Sequence, residues 1–287
     1  MKKFCSLVTV LFVCTMLFAR GGLLTGQKNV RCIQTEWFDI IFGEDSERSA
    51  AHLALYADSI YDEICAAYEM SPKFRMPVTL LPNSDEFNAF FSNGFYNHIV
   101  LIDTTPGEDF VEFSDNLLGT FRHELTHAVS YNTTNKAFRA VQNIFADAVN
   151  FSIFSGSGFM AESASVSFES GDGRATASDG SGTVEYVGEG RLNDWFYLHL
   201  IRQAKLQGTF PPYQDVTGHR DIFPAGEYYY YGGPFAGFLQ KTYGMQKYAD
   251  WWYACNSIML RHQGSEGDRE QFGNLSVESL LKIVQTI

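Results

Sequence analysis

His123-Glu124-Leu125-Thr126-His127 constrains this chain more than any other stretch. An H-E-x-x-H sequence is useful only on a helix, where residues i and i+4 lie one turn apart on a shared face and both imidazoles can reach one metal ion. The glutamate between them then stands beside that face, placed to take a proton from a metal-activated water. The flanking residues agree with such a helix over 113–131. Leu117, Leu118, Phe121, Leu125, Ala128 and Val129 form a core-facing stripe, and the histidines emerge on the adjoining face. The bland alternative is a surface helix that happens to carry two histidines.

Upstream, the pattern alternates strands and helices. Residues 36–42 read as a strand closed by Gly43, and Ser46 with Glu47 opens a helix reaching about Met70. A short buried strand follows at 77–81. Asn83-Ser84-Asp85 is read as the cap of a helix carrying Phe87, Phe90 and Phe91, and 98–102 as a third strand. Downstream the chain turns helical, with candidates at 137–149, 159–169, 192–206 and from 228 onward. The stretch 170–191, rich in Gly, Ser, Thr and Asp, reads as a long loop with a hairpin near 183–187. Asp172 and Asp179 do not form a calcium-loop pattern.

The fold expected is α+β: a small mixed sheet packed on the metal-binding helix, followed by a mainly helical C-terminal subdomain. The expected boundaries are a signal peptide at 1–19, an N-terminal lead at 20–35, an α/β subdomain at 36–131 and a helical subdomain at 132–287. The signal reading rests on basic Lys2-Lys3, the apolar run 4–18 and a cleavage site at Leu17-Phe18-Ala19. Lipidation at Cys14 ranks second, because Val13 is a poor match to the small residue usual before such a cysteine. No later segment has the length of a membrane helix. The expected location is therefore exported, periplasmic or secreted. A net charge of −12 argues against nucleic acid as a partner. Cys32, Cys65 and Cys255 offer neither a C-x-x-C pair nor a disulfide framework.

A catalytic zinc needs three protein ligands and an open position for water. Glu162, at the start of the small-residue helix 159–169, is the natural third ligand, although a capping or solvent-facing role fits the same position. His52, His98, His199, His219 and His262 are the rival ligands. None completes H-E-x-x-H-x-x-G-x-x-H, since Ser130 and Thr133 occupy the required places.

The chain resembles the gluzincin metallopeptidases, specifically the bacterial peptidase MA-like group, over roughly residues 36–250. That group carries an H-E-L-T-H helix followed by W-x-x-E-G-x-A-x-Y-x-E. Here Phe159 stands in place of Trp, Ser163 in place of Gly and Ser167 in place of the aromatic residue, while Glu162 aligns with the metal ligand and Glu169 with the later acidic position. The longer spacing from His127 to Glu162 implies an insertion at 132–158. The stretch Tyr229 to Leu239, with Tyr243-Gly244, is similar to the family's Y-x-x-G-x-x-F-x-x-Y-L-x-x-x-Y-G segment.

The resemblance implies a zincin-like fold and one Zn2+ per chain held by His123, His127 and Glu162. It implies Glu124 as general base and Tyr229, with Tyr230 close behind, as the oxyanion donor. The strand 98–102 resembles the edge strand on which zincins pair an extended peptide. Glu169, seven positions beyond Glu162, is the candidate to orient a ligand histidine. The function implied is hydrolysis of a peptide or protein substrate. An exported zincin-fold binding protein without turnover, and a zinc hydrolase of non-peptide amides or esters, are the rivals.

Overall fold

A computed structural model describes residues 24–134 except 25, 72, 83–87, 94–95, 105–112 and 114, and then 158–170, 174–176, 185–187, 189–212, 216 and 228–256. The signal-peptide reading, Cys14, the helix expected at 137–149, and His219 and His262 all lie outside the described residues.

The fold is mixed α+β. Its strands are β1 (Arg31–Gln34), β2 (Phe38–Phe42), β3 (Met76–Leu81), β4 (Ala89–Ser92) and β5 (His98–Ile102), which form one sheet in the order β1-β2-β3-β5-β4. The pairs β2–β3 and β3–β5 are parallel, and the two outer pairs are antiparallel. Helix α1 (Glu47–Ala67) makes the crossover from β2 to β3 that a parallel pair requires. Alternation decides which side of the sheet is core. Phe38, Ile40, Val78, Leu80, Ile99 and Leu101 point to one face, where they meet Leu53, Ala57 and Tyr61 of α1 and Phe121, Leu125 and Val129 of α2 (Asn116–Asn132). Phe38 packs edge-on against Phe121 with ring centroids 5.4 Å apart. The motif helix therefore lies in the core layer of the sheet.

Two departures from the sequence reading concern the rim of this sheet. Phe90 and Phe91 belong to strand β4, paired antiparallel with β5 through Phe90↔Val100 and Phe91↔Ile99, and not to a helix. Aromatic residues suit a half-buried strand, while the expected cap Asn83-Ser84-Asp85 and Phe87 lie outside the described residues. The strand expected to be the edge, β5, is instead internal, flanked by β3 and β4. Among the described residues the outer strand on that side is β4. At the opposite rim, residues from the N-terminal lead supply β1, which is mostly exposed.

Helix α2 is fastened at both ends. Asp115 caps its start by accepting from the Leu118 N–H, and His52 of α1 holds that carboxylate at 2.5 Å. At its other end, the Asn256 amide donates to the carbonyls of Ser130 and Thr133. Asn256 is the last residue of α6 (Met245–Asn256), so the C-terminal half of the chain closes α2.

Helix α3 (Gly158–Glu169) packs across α2 and buries its small residues Ala161, Ser163, Ala164 and Ser165. Three hydroxyls of the helix and its end bond back into it: Ser163 to Phe159 O, Ser167 to Ala164 O, and Ser170 to Val166 O. On the far side of α3 lie a π-helical turn (Tyr228–Gly232) and α5 (Gly233–Tyr243). Glycine is required at this crossing. A Cβ on Gly232 would stand 2.1 Å from Ser163 Oγ, and one on Gly233 would stand 2.3 Å from Val166 Cγ1. Ser163 thus takes the volume that Gly232 leaves open. The remaining helix, α4 (Trp195–Leu206), follows a 3-10 turn (Arg191–Asn193), and β6 (Arg174–Thr176) pairs with β7 (Glu185–Val187) as a separate ribbon.

Gly233→Ala gains about 0.5–1 kcal/mol of helix propensity but overpacks the crossing by about 1–3 kcal/mol. The expected result is net destabilisation in urea unfolding, relieved when Val166→Ala is added. Equal stability of the single variant and the parent chain contradicts this packing.

Candidate metal centre

One turn of α2 separates His123 from His127, and their rings meet edge to face with centroids 4.9 Å apart. Glu162, in the first turn and a half of α3, reaches between them. Its Oε2 lies 3.2 Å from His123 Nε2 and 3.4 Å from His127 Nε2. One donor atom from each of the three residues lies within 4.8 Å of the others. Two imidazole nitrogens and one carboxylate oxygen facing a cleft match the three-ligand, open-position set of a catalytic zinc. The structure thus brings together the three residues named as ligands from sequence.

Electrostatics tie this cluster together. Burial alone lowers the His123 imidazolium, but Glu169, Glu162 and Glu124 outweigh it and hold its pKa up to about 10. Burial alone raises the Glu162 carboxyl, but His127 and His123 outweigh that and hold it well below the usual carboxylate range.

Behind His123 stands Glu169, at the last position of α3 and buried. Its Oε2 accepts from His123 Nδ1 at 2.6 Å, which turns Nε2 toward Glu162. The same oxygen accepts from Arg191 Nη1 at 2.8 Å, and Oε1 accepts from the Arg191 backbone N–H at 3.2 Å. Arg191 was not singled out from sequence. It sits at the end of a Gly/Ser-rich loop, where composition signals only irregular structure. Gly190, at φ +77, makes the turn that aims it inward, and a Cβ there would meet the Ser170 backbone at 2.8 Å. The Arg191 guanidinium then lies 4.5 Å above the Tyr229 ring.

A cleft of about 440 Å³ opens over these groups, lined on one side by Phe90 and Phe91 of β4 and on the other by Arg191, Tyr197 and Tyr229, with Glu124 inside it. The tyrosine run sorts itself by packing. Tyr229 lines the cleft and lies 6.4 Å from the His123 ring, between centroids. Tyr230 packs on Tyr197 at 4.4 Å, and Tyr231 is buried against Phe210 at 5.1 Å. Burial, with Glu162 nearby, pushes the Tyr229 phenol up, only partly offset by Arg191, so it remains a protonated donor at neutral pH.

The rival histidines that are described stand elsewhere. His52 serves the Asp115 cap, His98 is buried on β5 against Thr79 at 2.8 Å, and His199 is exposed on α4.

No family model matches the chain. Over 234 residues, 80% of its length, the chain is 31% identical to a Treponema pallidum (strain Nichols) protein described only as uncharacterized. The chain spans about a fifth (19%) of that relative's length.

The raised His123 pKa sets a pH dependence for the metal-free protein. A group whose pKa rises from 6.5 to about 10 on folding contributes stability that is complete below pH 6.5 and is lost as pH climbs toward about 10. Thermal melts of the chelated protein should therefore fall between pH 7 and 10, an effect that zinc abolishes by taking the proton's place. Calorimetry at pH 7 in buffers of different ionisation enthalpy should show about one proton released per zinc bound. Glu162→Ala should lose stoichiometric zinc, and retention with unaltered affinity would remove Glu162 from the ligand set.

Proposed function

We propose that this chain is an exported, zinc-dependent peptidase of the gluzincin type that cleaves peptide or protein substrates in the cleft above α2. The observation that carries this reading is the convergence of His123, His127 and Glu162 donor atoms within 4.8 Å, beside a carboxylate, Glu124, that is not one of the three ligands yet lines the same cleft. A bound zinc ion supplies Lewis acidity to the attacking water and to the scissile carbonyl.

The protein's own groups do the rest. Glu124 accepts a proton from the water at a carboxylate oxygen and delivers it to the departing amine nitrogen. Tyr229 donates its O–H to the carbonyl oxygen as negative charge gathers there. The edge of β4, outermost among the described residues and ending at the cleft, offers backbone N–H and C=O groups to an extended substrate. That role moves one strand outward from β5. Export rests on the N-terminal sequence: its basic start, apolar run and Ala19 cleavage site.

The test is digestion of a peptide library by the chain lacking residues 1–19, with zinc content measured in parallel. Activity should vanish with chelator and return with zinc. Glu124→Gln should keep zinc and fold while losing about 10²–10⁴-fold in rate. Tyr229→Phe should lose about 10²–10³-fold with zinc affinity unchanged. Chelator-sensitive cleavage that survives Glu124→Gln intact contradicts this chemistry. Zinc retention without cleavage across a broad panel favours a binding protein.

A further inference from the structure

The two ligand histidines are supported differently. His123 Nδ1 is held by Glu169. His127 is equally buried, yet among the described residues nothing accepts from its Nδ1. A ligand imidazole without that brace is free to rotate about its side-chain bonds unless packing stops it. Packing is present. One helical turn on, the Tyr131 ring lies 6.1 Å from the His127 ring with only 17° between their planes. Beyond Tyr131 lies Phe91 of β4, at 6.2 Å and 21°. The edge of Tyr131 is closed by Trp252 of α6, at 6.3 Å and 87°. Three rings thus run in offset-stacked succession from the sheet edge to the second metal ligand.

We propose that Tyr131 is the positioning residue for His127: its ring, wedged between His127, Phe91 and Trp252, sets the imidazole orientation that a carboxylate sets at His123. The proposal rests on the zinc reading above and extends it to a residue outside the ligand set and outside the acid–base machinery. What His127 needs from its neighbour is a flat face. The hydroxyl is dispensable, so phenylalanine suffices and a branched aliphatic residue does not.

The test is zinc affinity of the full-length chain, measured by competition with a chromogenic chelator and paired with thermal unfolding of each metal-free variant. The absorption spectrum of the cobalt-substituted protein reports ligand geometry. Tyr131→Phe should bind zinc within about twofold of the parent and keep its cobalt spectrum. Tyr131→Leu should bind about 10-fold more weakly, in the range typical for loss of a ligand's support, with a shifted spectrum. Phe91→Leu, which leaves Tyr131 in place but withdraws its outer support, should fall between the two and covers the case in which Tyr131→Leu does not fold. Wild-type affinity and spectrum in both leucine variants overturn the proposal while leaving the zinc reading intact. A loss in Tyr131→Phe equal to that in Tyr131→Leu overturns it by assigning the role to the hydroxyl. Absence of zinc binding by the parent chain overturns both readings together.

Discussion

A buried carboxylate at Glu169 is the junction on which the rest of this site depends. Withdrawing a carboxylate from water is costly unless its oxygens are fully hydrogen-bonded, and Glu169 meets that condition with three donors from two directions. One is the imidazole it orients. The other two belong to Arg191, whose backbone and side chain both turn toward it. Because Arg191 also covers the Tyr229 ring, a single buried charge pair fixes the distance between the metal-ligand cluster and the phenol across the cleft. Removing either partner would strand the other in a dry environment.

The parts of this arrangement that follow a helical period were legible in the sequence. His123, Glu124 and His127 share one stretch of helix, and Glu162 with Glu169 share another, two turns apart on one face. Sequence periodicity also located the core stripe Phe121, Leu125, Ala128 and Val129. Features created by closure of the chain in space were not legible. Phe90 and Phe91 read as helical beside a capping signal, whereas pairing with β5 makes them a strand. The sheet's true edge depends on strand order, which no local pattern encodes. Arg191 is invisible for the same reason, since its partner Glu169 is 22 positions away.

One departure from the gluzincin pattern, at Ser163, has a local physical explanation. Ser163, where the pattern has glycine, sits against Gly232, which leaves room for its side chain. Its hydroxyl is satisfied by the Phe159 carbonyl, which leaves the approach of α3 to its neighbour dry and close. The crossing geometry that presents Glu162 is thus kept by a pair of positions acting together.

Helix α2 behaves as a beam clamped at both supports, by Asp115 with His52 at one end and by Asn256 at the other. A beam so held cannot slide along its axis, and its sheet-facing side is locked into the core. The His123 and His127 rings are therefore carried on a helix whose position is set from both ends by the rest of the chain.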